Sequence, residues 1–389
     1  HRDLHSFPTR RSSDLETNGF CGTIGGGSGN QIGNQTYYST VAGGIQNVIQ
    51  TGTTYASVGG GGYNVVQTNA DSAVIAGGYG NVVWTGAQYA AVGGGNRNQI
   101  GAGASNGVVA GGLANRILAG AHGAAIGGGS RNEIGENAEN SAIAGGDGNA
   151  VRSNAGYSAI GGGYGNVVST NSANSVIGGG ADNSIGESTV RGTIDGGSNN
   201  SIGDSNYDPV IGGGRNNAVS NEAYYVTIAG GVNNKIHDRV LYGAVGGGFN
   251  NTIQSNSDSS VIAGGYRNAI QTNVDYGCIG GGVSNVVMWD ADKSLILGGE
   301  LCTVSNAATY SLAAGRRAKA GYSGSFVWAD SQNADFGATA ADQVSFRCQG
   351  GVRFSSGTVG PLQQVTWAPG GASWTFTSDR EMKEGFEAV

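Results

Sequence analysis

A 17-residue motif repeats without interruption through most of this 389-residue chain and limits the folds that it can adopt. Seventeen copies follow one another from Ile24 to the copy that begins at Ile296, with no insertion or deletion. Position 1 of the motif is always Ile or Val, positions 3 and 4 are always Gly, and position 9 is always Ile or Val. Position 7 is Asn in sixteen copies, and Cys302 replaces it in the last. The copies are repeated samples of one local environment, so their residue preferences can be interpreted physically.

The length of the period excludes helical repeats and favours short strands. Repeats built from two helices need about 30 residues or more, and a Gly pair would weaken a helix. In an extended chain, positions 16 and 1 share one face, and positions 7 and 9 share another. Each copy therefore predicts one coil with two short strands, joined on one side by a turn in which Gly supplies positive φ or close backbone approach. The predicted fold class is all-β, a β-solenoid of seventeen coils in residues 24–312.

The Asn at position 7 predicts a ladder along the solenoid. Stacked coils place Asn over Asn, so that each side-chain amide can bond to the next coil, as in other in-register stacks. We interpret this column as structural and not as a ligand site. Its first nine members are Asn30, Asn47, Asn64, Asn81, Asn98, Asn115, Asn132, Asn149 and Asn166.

Composition excludes several other classes of protein. Collagen needs Gly at every third residue and abundant Pro, whereas this chain has 76 Gly in another period and 4 Pro. Disorder is not expected, because Ile and Val recur at fixed intervals. The formal net charge of -7 is scattered, which predicts no nucleic-acid partner. No run approaches the roughly 18 apolar residues of a membrane span.

The predicted core is thin, which favours assembly with other copies of the chain. Burial of two large aliphatic side chains per coil must offset the free-energy cost of ordering the backbone, which is roughly 1–2 kcal/mol per residue. We therefore expect a homotrimer, with apolar residues at position 17 and Tyr at position 15 forming a second buried stripe where chains meet. The alternative is a monomeric solenoid with a half-exposed Tyr column. The apolar residues at position 17 include Val74, Val108, Val176, Val210, Val261 and Leu295. The Tyr residues at position 15 are Tyr38, Tyr55, Tyr89, Tyr157, Tyr225, Tyr242, Tyr276 and Tyr310.

Position 2 adds a longer period to the pattern. Gly and Ala alternate there from Gly25 and Ala42 onward, which predicts a superperiod of two coils. The alternation slips at Gly178 and Asp195, and the sequence alone offers no reason for the slip.

The N-terminal segment differs from the repeats. Residues 1–15, HRDLHSFPTRRSSDL, match nothing downstream and lack the apolar core of a signal peptide. They resemble translated sequencing-adapter sequence, and we interpret them as a non-native leader, the alternative being a natural basic arm. Residues 16–23 are then a lead-in to the first coil.

The repeats resemble a known family of surface proteins. The segments SAIGGGYGN from Ser158 and YAAVGGGNRN from Tyr89 are similar to the head repeats of YadA-like trimeric autotransporter adhesins. The resemblance covers residues 24 to about 328, where 313–328 form a degenerate closing coil. It implies a left-handed β-roll assembled as a homotrimeric, β-prism-like fibre. The coils here are longer and richer in Gly than is usual in that family.

The C-terminal segment resembles a second family. After a β-rich neck at 329–377, the sequence TSDREMKEGFEAV is similar to the start of the intramolecular chaperone domain of endosialidase-type tail spikes and fibres. Residues 378–389 are therefore expected to be its truncated beginning. The resemblance implies cleavage between Ser378 and Asp379, with Ser378 as nucleophile and Lys383 as base or electrostatic helper. A chance helix start is the alternative.

The sequence contains no strong signal for a cofactor or metal. The G-x-G-x-x-G matches recur in every coil without a following helix, which indicates a structural turn. The GGxxNxI pattern is similar to a calcium-binding repeat, but Asn replaces the ligand Asp and the period differs. His122 and His237 lie seven repeats apart at different repeat positions and predict no metal pair. The state of the four separated cysteines, Cys21, Cys278, Cys302 and Cys348, is left open.

The predicted function is structural and adhesive. No repeat carries an insertion that would house the acid pair of a glycan-cleaving site, so we expect no enzyme in the repeats. We expect an extracellular fibre on a cell or virion surface, either an adhesin head or a phage-type tail fibre, which binds a cell-surface glycan or matrix ligand by many weak contacts. A polysaccharide-degrading tail spike is one alternative. An ice-binding or other monomeric β-solenoid is another.

Overall fold

Two parallel ladders of short strands form the body of the molecule. A computed structural model describes residues 14–15, 21–356 and 363–376. Strands that end at position 1 form the position-1 ladder, and strands that end at position 9 form the position-9 ladder. Each strand in the repeats pairs with the strand one coil further on, as Ala125–Ile126 pairs with Ala142–Ile143. The predicted β-solenoid is confirmed, with about 19 turns.

The strands are mostly two residues long. Those of the position-1 ladder are Thr23–Ile24, Thr40–Val41, Ser57–Val58, Val74–Ile75, Ala91–Val92, Val108–Val109, Ala125–Ile126, Ala142–Ile143, Ala159–Ile160, Val176–Ile177, Thr193–Ile194, Val210–Ile211, Thr227–Ile228, Ala244–Val245, Val261–Ile262, Cys278–Ile279, Leu295–Glu300, Leu312–Arg316, Phe326–Ala329 and Val344–Arg347. Those of the position-9 ladder are Asp14–Leu15, Gln31–Ile32, Val48–Ile49, Val65–Val66, Val82–Val83, Gln99–Ile100, Arg116–Ile117, Glu133–Ile134, Ala150–Val151, Val167–Val168, Ser184–Ile185, Ser201–Ile202, Ala218–Val219, Lys235–Ile236, Thr252–Ile253, Ala269–Ile270, Val286–Val287, Thr303–Val304, Ala318–Ala320 and Phe336–Gly337. A separate antiparallel sheet contains Val352–Ser356, Gln363–Trp367 and Thr375–Phe376.

The stack extends beyond the expected boundaries at both ends. Asp14–Leu15 pairs in parallel with Gln31–Ile32, so stacking begins inside the segment interpreted as a leader. Phe326–Ala329 pairs in parallel with Val344–Arg347, so stacking also continues into the expected neck. The described residues contain no helix, and hence none that is long and apolar enough to cross a membrane.

A third line of backbone pairing runs along position 5. Single-residue parallel bridges connect this position in successive coils, from Ser28 with Ile45 to Val283 with Glu300. Position 14 adds a fourth line in part of the chain, for example between Tyr207 and Tyr224. The sequence predicted only two strands per coil, because side chains vary at positions 5 and 14 and only the backbone pairs there.

Five columns of side chains point into the solenoid. In one coil these are Ile126 at position 1, Asn132 at position 7, Ile134 at position 9, Ala138 at position 13 and Ser141 at position 16, and all are buried. Position 13 is buried in every repeat, although its variation in the sequence predicted an exposed surface. Its residues are Ala, Ser, Thr, Val or Asn, so a small uncharged side chain is the shared requirement. The core is wider than two aliphatic ridges.

The two invariant glycines of the coil that contains Gly128 and Gly129 are constrained in different ways. At position 4, a Cβ on Gly129 would overlap the carbonyl oxygen of Gly146 in the next coil. At position 3, a Cβ on Gly128 would meet nothing within 4 Å, but its φ of 149° is one that other residues rarely adopt. Crowding therefore fixes position 4, whereas conformation is the constraint at Gly128.

The same crowding explains the alternation at position 2. A Cβ on Gly127 would overlap the position-2 carbonyl oxygen of the next coil, which belongs to Ala144. Equivalent overlaps exist from Gly161 to Gly178 and from Gly178 to Asp195. From Gly25 to Leu297, two side chains accordingly never occupy position 2 of adjacent coils. The slip places two glycines in succession and keeps this rule.

Candidate functional site

The Asn column lies inside the solenoid and holds the Gly-Gly turns. Asn166 Nδ2 donates to Gly162 O at 2.9 Å in its own turn and to Gly180 O at 3.0 Å in the next coil. Its Oδ1 accepts the backbone N–H of Asn183 at 3.1 Å. Each side chain thus connects neighbouring coils. The nine Asn residues named above, from Asn30 to Asn166, are all fully buried, which leaves this column out of reach of a ligand.

Cys302 ends the Asn column at the last full coil. Its backbone N–H donates to Asn285 Oδ1 at 2.9 Å, as an Asn at this position would, and its Sγ lies 3.1 Å from Gly315 O. Burial raises the pKa of the Cys302 thiol. The four cysteines all lie in described segments and form no disulfide.

Thiol labelling is expected to follow exposure and pKa. Cys21 is exposed, burial raises the pKa of the half-buried Cys278, and Cys302 is fully buried. Because the thiolate is the nucleophile, iodoacetamide near pH 7 should modify Cys21 first, Cys278 more slowly, and Cys302 only after unfolding. Timed labelling followed by peptide mass spectrometry measures this order. Modification of Cys302 in the native chain at the rate of Cys21 would contradict the placement of the column.

The outward side of the position-1 ladder carries almost no charge. From Thr23 to Leu312 no residue at position 17 is charged, and Asp195 is the one charged residue at position 2. Position 8 is the equivalent outward position of the other ladder. It is charged in three coils, at Arg116, Glu133 and Lys235, and neutral in the others. We call the outward side chains at positions 17 and 2 in residues 23–297 the uncharged face. Most of the valines there, which the sequence predicted to be buried between chains, are exposed in the single chain, and Val210 is half-buried.

The Tyr residues at position 15 form a column on a strained corner. All eight have φ between 54° and 62°, a left-handed conformation that costs non-Gly residues roughly 1–2 kcal/mol. The rings are exposed, for example 62% at Tyr157. Some rings contact a side chain of a neighbouring coil: Tyr225 and Tyr242 stack with their centroids 5.3 Å apart, and Lys293 Nζ donates to Tyr310 Oη at 2.9 Å. All eight rings nonetheless remain largely in solvent in the single chain.

A groove of about 370 Å³ opens at the C-terminal end of the stack. Glu300, Arg316, Trp328 and Asp330 line it together with Ser331 and small residues. Arg316 Nε pairs with Glu300 Oε2 at 3.2 Å. The sequence did not predict the groove, because the 17-residue period breaks between the strands that start at 312 and 326.

The carboxylates of this groove are committed to structural contacts. The Asp330 carboxylate accepts the backbone N–H of Gln349 at 2.8 Å and Arg347 Nε at 2.7 Å. These bonds hold the pKa of Asp330 below its usual range, the bond from Gln349 contributing most. A general acid for glycan cleavage needs the opposite, a raised pKa.

The remaining predicted residues do not converge on a site. His122 and His237 stay on separate coils, and burial followed by the charge of Lys235 lowers the pKa of His237. Within the ranges that the structure describes, no group of three or more His, Cys, Asp or Glu could hold a metal ion. The proposed cleavage residues Ser378, Asp379 and Lys383 lie outside the described residues.

Comparisons with known proteins add no assignment for these surfaces. Searches of the sequence against protein-family models and against curated proteins found no match. The functional interpretation therefore depends on the geometry of the chain itself.

Proposed function

We propose that this chain is a structural and adhesive extracellular fibre, exposed on a cell or virion as an adhesin head or a phage-type tail fibre. The observation that carries the proposal is the stack of about 19 turns, with uncharged inward columns and varied outward ones. Such a fold holds a surface at a distance from its anchor.

The outward columns are suited to multivalent binding. Successive coils present their side chains about 4.8 Å apart, and the varied positions 5, 6, 11 and 14 are exposed or half-exposed in most coils. A weak contact to a cell-surface glycan or matrix ligand, repeated along such a column, gains avidity without any single strong site.

Assembly as a homotrimer belongs to the proposal. Each coil buries only two large aliphatic side chains and three smaller ones, and the eight Tyr corners are strained and exposed. Partners that cover further apolar surface would offset both costs. The proposed arrangement is a β-prism of three chains, each a left-handed β-roll.

A polysaccharide-degrading tail spike is the rival, and the C-terminal groove is the place to test it. We expect incubation of the full chain with capsular polysaccharides to release no new reducing ends, because Asp330 is held ionised and Glu300 is paired with Arg316. New reducing ends that disappear in Asp330→Asn would establish the rival. Thermal hysteresis of the chain in solution would instead support an ice-binding solenoid.

The location of the protein on cells or virions tests the proposal directly. Antibodies raised against residues 24–312 should label the outside of intact cells or virions in immunogold electron microscopy. Label that appears only after permeabilisation would contradict an extracellular fibre. A cytoplasmic protein of known abundance in the same sample is the control for leakage.

A further inference from the structure

We infer that the uncharged face is the surface through which copies of this chain pack against one another. The inference rests on the proposed assembly and assigns a location to it. Three independent features of the face support it: its charge pattern, its size and the Tyr column beside it.

The charge pattern separates two otherwise equivalent outward positions. Val176 and Val167 each begin a two-residue strand of the same coil, one in each ladder. Position 8, where Val167 lies, accepts charged residues such as Lys235. Position 17, where Val176 lies, accepts none from Thr23 to Leu312. Solvent exposure alone would allow charge at both, so the difference indicates that position 17 faces something that excludes charge.

The size of the face matches a stable interface. Coils stack at about 4.8 Å, so the seventeen strands from residue 23 to residue 296 extend for roughly 80 Å. Two outward columns and the backbone between them give a width of about 10 Å. The resulting area, on the order of 800 Å² per copy, is that of a standard protein interface.

The Tyr column borders this face. Position 15 lies two residues before position 17 in every coil, so rings such as Tyr157 and Tyr276 lie along one edge of the uncharged face. Exposed aromatic rings at the margin of an apolar surface are typical of protein interfaces. A neighbouring copy would cover rings that the single chain leaves in solvent.

A second copy is the occupant that fits these features best. The face repeats with the constant spacing of the coils, so it is complementary in spacing to itself. It contains no charged groups that would require an oppositely charged partner, apart from Asp195 in one coil. An unrelated globular partner would not share the coil spacing over about 80 Å.

A matched pair of substitutions tests the inference. Val176→Lys places a charge on the face, at a side chain that is 40% exposed and leaves the new ammonium in water. Val167→Lys places the same charge at position 8, which accepts Lys235. In sedimentation velocity at about 10 µM, the parent chain and Val167→Lys should be assembled. Val176→Lys should be monomeric, with association weakened at least tenfold. Ala142→Lys, at another exposed position of the face, should reproduce the loss if Val176→Lys fails to fold.

The outcomes distinguish the inference from the proposed function. Assembled Val176→Lys and Ala142→Lys would overturn the assignment of the face and leave the fibre in place. A monomeric parent at 100 µM would refute the face and the trimer together. A monomeric parent with thermal hysteresis that Val176→Lys abolishes would assign the face to ice and overturn its assignment to a second copy.

Discussion

Replacing Gly146 with Ala is expected to disrupt the stack, whereas the same change at the adjacent Gly145 should be tolerated. A Cβ on Gly146 would lie 2.6 Å from Asn149 Nδ2 and 2.8 Å from Gly163 N, and it would overlap Gly163 O. The φ of Gly146 is also strained for other residues, at 92°. The backbone of Gly163 and the buried side chain of Asn149 cannot move aside at low cost. The free energy of unfolding should therefore fall by on the order of 4 kcal/mol. Gly145 has only Gly128 O at 4.0 Å and lies outside the left-handed range.

Hydrogen exchange and thermal unfolding measure this difference. In a linear repeat the damage spreads to neighbouring coils first, so amide protection should fall around Gly146 and Gly163 before it falls at distant coils. Gly145→Ala serves as the control, since it adds the same methyl group one residue away. Equal melting temperatures for the two variants would contradict the close approach of coils at position 4.

Replacing Asn166 with Asp should destabilise the folded chain strongly at neutral pH. The new carboxylate would be buried and would face the carbonyl oxygens of Gly162 and Gly180, to which Asn166 Nδ2 now donates. Loss of two buried donor bonds and burial of a charge should together cost about 4 kcal/mol. Two existing bonds, from the backbone N–H and from the Nδ2 of Asn183, would remain.

The pH dependence of this variant gives a second test. Burial raises the pKa of a carboxyl in the folded state, so the folded variant binds a proton more tightly than the unfolded chain does. Its stability deficit should therefore be largest at pH 7 and shrink as the pH falls toward 4. Asn140→Asp is the control, because Asn140 is an exposed residue at position 15, where Asp208 occurs naturally. If the Asn166→Asp variant were as stable as Asn140→Asp at pH 7, the structural role of the buried Asn column would be refuted.

Much of the interior could be predicted from the sequence, because repetition isolates the positions that tolerate one residue type. Ile or Val at positions 1 and 9 and Asn at position 7 indicated the inward columns, and the structure buries them. Position 13 escaped notice because Ala138, Ser172 and Val240 look like variation, although all are small and buried. The informative signal was the absence of charge at this position and not the identity of its residues.

Backbone geometry and broken periodicity account for what the sequence did not predict. Positions 3 and 4 both read as invariant Gly, and only coordinates show that one is crowded and the other is not. The position-5 bridges involve no particular side chain. The groove around Trp328 forms where the strand spacing departs from 17 residues, so the repeat does not predict it. Position 17 was predicted as an apolar stripe together with the Tyr residues of position 15, but its contrast with position 8 emerged only when both were placed as outward positions.

Cryo-electron microscopy of the purified chain tests the central claim most directly, since that claim is a stack of parallel coils that advances by one strand spacing per turn. About 19 turns at about 4.8 Å predict rods roughly 90 Å long, with an axial repeat of about 4.8 Å along their whole length. Side-by-side assembly would thicken these rods without changing the repeat. Round particles, or rods that lack the 4.8 Å repeat, would contradict the account.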